Sequence, residues 1–516
     1  MARRLTLERR ACGVLLHPSS LPGPHGSGDL GPQAHAFARF LRDAGQTWWQ
    51  MLPICPADAG GSPYSSDSAF AGDPLLINLD ALIRDGLLTD ADSRPGRGLR
   101  ADRISFAAVA RFRRARLARA CDAFLSRRLP VAFRRFCERN AHWLEDFALF
   151  RALKDAHGGR TWLQWPRAIR LRRSAALRDA RQALAGAIDR EQALQFLFDR
   201  QWHALRETCR ALGVGLIGDL PIFVCHDSAD VWAQRELYRL DAAGRPRVVS
   251  GVPPDYFSKT GQLWGHPLYD WRRHARDGFA WWIARFRTMF ERFDAVRIDH
   301  FLGFNRCWAV PGRAKTAMRG VWTPSPGYEL FAAVRAALGK PEIIAEDLGL
   351  LTPAAAALRD ELGFPGIRLL QFAFGDGARY DQPHNYPRRC VAYPGTHDNE
   401  TAVGWFRNVS RDRRRGRDGW TTRERALRYL PSEGREIHWD MIRALYASPS
   451  DTVIVPLQDV LGLDNRARMN TPATTKGNWR WRITAPLGGG EFGRASAALR
   501  GLALTYERAE LSPQLE

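Results

Sequence analysis

The sequence predicts an α/β fold, a (β/α)8 TIM barrel with large, mostly helical insertions between its strands. Three observations carry this expectation. Eight short apolar runs, at 13–16, 48–54, 214–220, 293–298, 342–345, 366–372, 390–393 and 452–456, have the length and residue types of buried strands. Most alternate with stretches whose apolar residues recur every three or four positions, as helices covering a parallel sheet require. Four runs lead into carboxylates, Asp219, Asp299, Glu346 and Asp398, and the C-terminal ends of barrel strands are where such folds build active sites.

The run 13–16 feeds a proline- and glycine-rich loop, after which Pro32 opens a helix that Gly45 stops at the left-handed cap position. The second strand precedes 60–67, a loop too long and polar to be a plain connection. From 105 to 212 the pattern is helical and arginine-rich, interrupted at 162–166. Further on, Ser325-Pro326 and Thr352-Pro353 start helices that Gly339 and Gly363 end. The expected organisation is one catalytic barrel domain over 1–516. A mostly helical insertion fills 56–212 after strand two, a substrate-loop insertion fills 225–290 after strand three, and a third excursion follows strand seven.

Charge and cysteine usage narrow the function classes. The formal charge of +21 invites a nucleic-acid partner. With only five lysines among 76 basic residues, though, the excess is arginine scattered along the chain, as in the cluster 411–417, read as a solvated helical surface. No nucleic-acid module accompanies it, so neither nucleic acid nor membrane is expected as a partner. The eight cysteines form no C-x-x-C pair and no metal-ligand spacing, which points to buried thiols in a reducing compartment. No signal-peptide core or membrane-length apolar run is present, so a cytoplasmic protein is expected.

The stretch 293–300 concentrates the chemistry. Val296 and Ile298 fall on one face of a strand, Arg297 and Asp299 on the other. An arginine beside an aspartate at a strand end is costly unless the two meet each other, water or a ligand. Gathered at one mouth, the four carboxylates suit glycosidic-bond chemistry, in which one acid attacks the anomeric carbon and a protonated one donates to the leaving oxygen. Carboxylates also hold magnesium or calcium, but Arg297 and His397 among the acids disfavour a cation, and no metal or cofactor is expected. Eighteen tryptophans supply flat faces suited to sugar rings.

Nine segments then carry a family resemblance: SPYSSDSAFAGDP at 62–74, GDLPIFV at 218–224, GVPPDYF at 251–257, GQLWGHP at 261–267, AVRIDHF at 295–301, AEDLG at 345–349, GTHDN at 395–399, RMNTP at 468–472 and GNWRWR at 477–482. In this order they make the chain resemble, over nearly its whole length, the 4-α-glucanotransferases (amylomaltase or disproportionating enzyme), relatives of the α-amylases. The resemblance implies transfer of α-1,4-glucan segments between maltooligosaccharides, from starch- or glycogen-derived glucan, by a retaining double displacement. Asp299 is then the nucleophile and Glu346 the general acid/base. Asp398 with His397 grips the reacting sugar, and Arg297 holds Asp299 as an oriented anion. Tyr64, Asp219, Asp255, Gln262, Trp264 and Asn470 match subsite positions. The long loops 60–74 and 251–271, the latter with Tyr256, Phe257, Trp264, Tyr269 and Trp271, are placed to stack on an acceptor and cover the mouth. The C-terminal β-domain common in α-amylases is expected to be absent, and the protein to be a monomer or weak oligomer. An α-amylase-type hydrolase or a non-catalytic glucan-binding scaffold would share these residues. The chain departs from the family pattern at Asp73 and His266, where asparagine is common, and at Ala473, where glycine is.

Overall fold

The computed structural model describes residues 6–58, 60–254, 258–349 and 351–510. Its strands are β1 (Ala11–Leu15), β2 (Trp48–Gln50), β3 (Gly215–Pro221), β4 (Val248–Val252), β5 (Gln262–Pro267), β6 (Ala295–Asp299), β7 (Arg306–Pro311), β8 (Val321–Pro324), β9 (Ile343–Ala345), β10 (Gly366–Leu369), β11 (Cys390–Tyr393) and β12 (Thr452–Pro456). Eight of them close into a parallel barrel in the order β1, β2, β3, β6, β9, β10, β11, β12 and back to β1. These eight overlap the eight apolar runs, with ends shifted by up to a few residues. The second is only Trp48–Gln50, and 370–372 turns into a short 3-10 helix.

Period-two alternation divides the strand residues between two cores. Trp48, Ile217, Ala295, Ile344, Ile367, Val391 and Ile454 fill the barrel interior. Their neighbours Trp49, Leu216, Val296, Ile343, Ala392 and Val453 face the surrounding helices. Both faces are apolar, so each strand reads as a continuous hydrophobic run. Gly13 serves the interior directly: a Cβ there would meet the Trp48 carbonyl oxygen at 2.4 Å.

Between β2 and β3 the chain forms helices Phe106–Leu125, Val131–Ala156, Ser174–Ala183 and Ala185–Ala211. This helical layer braces the loop that carries Tyr64. Asp67 pairs with Arg151 at 2.6 Å, and Gln195 brackets Gly72, accepting its N–H at 2.8 Å and donating to its carbonyl at 3.0 Å. Gln201 brackets Asn78 in the same way. Long helices thus fix backbone that would otherwise be free to move.

The sequence reading did not anticipate a second sheet, antiparallel and ordered β5-β4-β7-β8. It joins pieces of two excursions: β4 and β5 follow β3, while β7 and β8 follow β6. Val249, Val310 and Ala317 make its small core. The arginine cluster 411–417 is also corrected. It lies in a loop between helices Ala402–Val409 and Thr422–Tyr429, where Arg414 and Arg415 pair with Asp412 and Glu424. Among the described residues no helix is long and apolar enough to cross a membrane.

The barrel closes where β1 meets β12, and Arg508 fastens that join. It is 2% exposed and donates to the carbonyls of Tyr446 (2.9 Å), Ala11 (3.1 Å), Asp451 (3.2 Å), Leu445 (3.4 Å), Ser448 (3.1 Å) and Ser450 (2.9 Å). Burial pulls its pKa down only to about 10, so it stays charged at neutral pH. Several acceptors end the helix Ile437–Ala447, where the dipole favours a cation. Arg508→Met fills the space but leaves these carbonyls unpaired, and should cost about 3 kcal/mol. Urea unfolding measures it; a loss below about 1 kcal/mol would show that water replaces the guanidinium.

Candidate active site

The parallel register of β3 and β6 sets Asp219 directly beside Arg297, and Asp299 lies two residues further on the same inward face. The Arg297 Nη1 therefore sits between two carboxylates. It donates to Asp219 Oδ1 and Oδ2, both at 2.8 Å, and to Asp299 Oδ1 at 3.1 Å. Burial alone would lower the Arg297 pKa, but the two carboxylates outweigh it and hold the guanidinium well above its ordinary value. Burial pushes Asp219 up, against the opposing pull of Arg297.

Tyr64 extends the network across the mouth. Its hydroxyl donates to Asp219 Oδ2 at 2.8 Å and lies 2.9 Å from His397 Nε2. The phenol has one proton and gives it to Asp219, so His397 must be the donor in the second contact, with its proton on Nε2. The same nitrogen lies 3.4 Å from Asp398 Oδ1. Asn470 Nδ2 donates to that oxygen at 2.6 Å, and Arg468 donates to the Asp398 carbonyl at 2.6 Å. Asp398 does not follow its strand at once, as expected from the sequence. It sits past β11 in the turn 396–399, closed by the Asn399 N–H donating to the Thr396 carbonyl. Asp219 likewise lies inside β3 rather than beyond it.

Glu346 comes immediately after β9 and is 8% exposed. Its Oε2 accepts the His300 N–H at 2.7 Å and its Oε1 the Leu348 N–H at 2.9 Å. Burial pushes its pKa to about 8, with Asp299 adding and Arg297 and the two N–H groups opposing. Glu346 therefore carries a proton at neutral pH. Asp299 and Asp398, with side chains 30% and 42% exposed, are the acids open to the mouth.

Gln262, Trp264 and His266 alternate with exposed Leu263 and Gly265 along β5, so the three share its half-buried face. Trp264 meets the His300 ring edge-on, centroids 4.8 Å apart, and its Nε1 donates to Gln262 Oε1 at 3.4 Å. Burial pushes the His266 imidazole down to about 4 although Asp299 opposes the shift. Asp255, Tyr256 and Phe257 lie outside the described residues. Two expected sugar-facing rings are corrected. Tyr269 is buried, its hydroxyl donating to the Ile222 carbonyl at 2.7 Å, and Trp271 packs on Tyr269, His274 and Trp282. Asp73 caps the turn Pro74–Leu76 through the Leu75 N–H, and burial pushes it up to about 6. Ala473 occupies left-handed backbone at φ 61°, the conformation that favours the family's glycine.

Sequence reasoning missed Trp479, whose ring packs 5.7 Å from Tyr64 and 5.9 Å from His397, and Arg468 beneath Asp398. Both belong to quoted motifs, but neither residue type distinguishes a site ring or cation from packing. Among the described residues no three His, Cys, Asp or Glu side chains converge to hold a metal ion.

Comparison with known proteins agrees with this architecture. A family model described as 4-alpha-glucanotransferase matches residues 16–487. The 4-alpha-glucanotransferase of Thermus thermophilus is 45% identical over 97% of this chain and 99% of its own. That of Synechocystis is 44% identical over 92% and 94%. The amylomaltase from Streptococcus agalactiae, solved in complex with acarbose, superposes with a TM-score of 0.91 at 38% identity, covering 97% of this chain and all of that one. The amylomaltase from Corynebacterium glutamicum, 19% identical with a TM-score of 0.75 and coverage of 95% and 75%, shares the fold. With its eight-stranded barrel and a family match over most of its length, the chain belongs to the 4-α-glucanotransferases.

Proposed function

We propose that this chain transfers α-1,4-glucan segments between maltooligosaccharides with retention, through a glycosyl ester on Asp299. The observation that carries the mechanism is the pairing of one proton-bearing acid with one carboxylate held by a cation at the same mouth. Glu346 gives its proton to the glycosidic oxygen as Asp299 attacks C1, and the C1–O bond breaks. The shortened glucan leaves with a free 4-hydroxyl. An incoming sugar hydroxyl then loses its proton to Glu346 and attacks C1, which restores Asp299. Asp398, held by Asn470, and His397 grip hydroxyls of the reacting glucose. Tyr64, Asp219, Gln262, Trp264 and Asp255 belong to the subsites. The acarbose complex of the Streptococcus agalactiae relative supports a maltooligosaccharide, or starch- or glycogen-derived glucan, as substrate. A monomer or weak oligomer working in the cytoplasm, with no nucleic-acid or membrane partner, completes the proposal.

Transfer conserves the number of glycosidic bonds, whereas hydrolysis does not. Incubated with maltotriose alone, the protein should yield glucose and oligosaccharides longer than three units while total reducing ends stay flat. Reducing ends rising with substrate loss, and no longer product, would identify a hydrolase.

Asp299→Asn and Glu346→Gln each remove a charge or proton the mechanism uses and keep the side-chain shape. Each should lower kcat on the order of a thousandfold or more. Folded variants within about tenfold of wild type would reassign the residue.

The pH profile has a definite sign. The protonated form of Glu346 is the working one, so kcat/KM should be sustained below its pKa and fall as pH rises through about 8. A profile that instead rises across that value would assign the titrating group a base role in the first step.

A further inference from the structure

Immediately after Asp299 the backbone adopts a conformation uncommon for residues other than glycine. His300 lies in the left-handed region, at φ 51° and ψ 52°, which is costly for any residue with a Cβ. Three hydrogen bonds tie this turn to Glu346. The Glu346 N–H donates to the Ile298 carbonyl at 3.1 Å, the Phe301 N–H donates to the Glu346 carbonyl at 2.9 Å, and the His300 N–H donates to Glu346 Oε2 at 2.7 Å. Downstream the turn has no room to relax. Phe301 is buried against Phe304, Phe331 and Phe364, and a Cβ on Gly303 would meet Ile222 Cδ1 at 2.6 Å. From above, Trp264 on β5 rests its ring on the His300 imidazole at 84°.

These contacts form one chain from the second sheet to the acid: Trp264, the His300 ring, the His300 N–H, Glu346 Oε2. Each Glu346 oxygen already accepts one N–H, from His300 and Leu348, so the acidic proton occupies a remaining lone-pair direction. The charged groups facing Glu346 are Arg297 and Asp299 on β6, and the nearby His266 on β5 is kept neutral by burial although Asp299 opposes the shift. None of these donates to the Glu346 carboxyl among the described contacts; the backbone does.

We propose that His300 is a positioning residue, held in its left-handed turn by Trp264, whose backbone N–H aims the Glu346 carboxyl for proton transfer. The proposal rests on the reading of Glu346 as the general acid.

Two donors separate aiming from general damage. Cleaving maltotriose requires a proton on the leaving oxygen. With α-maltosyl fluoride, Asp299 attacks C1, the C–F bond breaks, and fluoride departs with the electron pair and needs no proton from Glu346. His300→Val disfavours the left-handed turn, whereas His300→Asn tolerates it. On maltotriose, His300→Val should lose about a hundredfold in kcat/KM, the lower range of general acid catalysis, and about threefold or less on the fluoride. His300→Asn should stay within about tenfold of wild type on both donors. If His300→Val does not fold, His300→Ala replaces it, with a selective loss on maltotriose of about tenfold. Equal losses on the two donors, or wild-type rates on maltotriose, overturn the proposal. Glu346→Gln serves as reference. If it too loses both donors equally, the reading of Glu346 as the acid fails; if it discriminates and His300→Val does not, only the role of His300 fails.

Discussion

Arg297 is the constraint on which the mouth depends. Its side chain and that of Asp219 are almost wholly buried, and two charges removed from water stay there only because each answers the other. Their adjacency comes from the β3–β6 register, and a one-residue slip of either strand would turn its member of the pair out of the barrel. The contact is also asymmetric. Among the described contacts, Arg297 grips both oxygens of Asp219 but one oxygen of Asp299, and the Asp299 side chain is 30% exposed. Asp219 then anchors Tyr64, and Tyr64 reaches His397. Removing Arg297 would leave Asp219 buried without a counter-charge, with only the Tyr64 hydroxyl as partner, at a cost of about 3–5 kcal/mol.

The barrel was legible because its strands are apolar on both faces, so each announces itself as a short hydrophobic run. The second sheet was not. Its strands come from two separate excursions, and β5 and β8 are only half covered, so no run stands out. At the site, Asp299, Glu346 and Arg297 were visible because charge at the end of an apolar run needs a reason. Aromatic residues carry no such mark. Tyr269 and Trp264 look alike in the sequence, yet one is locked to the Ile222 carbonyl and the other stands over His300. Nor could local sequence show which long excursion braces which loop, as Gln195 does for Gly72.

Three of the seven described non-glycine residues with positive φ belong to the segments that build this mouth: His300, Ala473 and Trp479, with φ between 51° and 64°. Such conformations persist only where neighbours over-determine them. Here the neighbours can be named. Asn478 Oδ1 accepts the Thr471 N–H at 3.0 Å, and the Trp479 N–H donates to the Met469 carbonyl at 2.6 Å. This double tie holds Asn470, between them, against Asp398. The strain at Ala473 therefore accompanies a geometry that the rest of the loop enforces, and alanine is carried where glycine would sit without cost.

The competition between water and sugar for the proposed intermediate is also shaped by topology. The Asp299 and Asp398 side chains are 30% and 42% exposed, so the barrel alone does not exclude water. The second sheet reaches this mouth through Trp264 on the His300 ring, and it is tied in sequence to the strand that carries Asp299. β7 begins just past Asp299 and the buried turn Phe301–Phe304, pairs with β4, and through β4 carries β5 with Trp264. Asp299 and Trp264 are thus linked through one short stretch of chain and one hydrogen-bonded sheet. An acceptor stacked on Trp264 would be held in fixed relation to the ester on Asp299, the condition under which orientation lowers a barrier. Water gains nothing from that ring. Under the proposed mechanism, an acceptor held against that ring would displace water from the ester, which favours transfer.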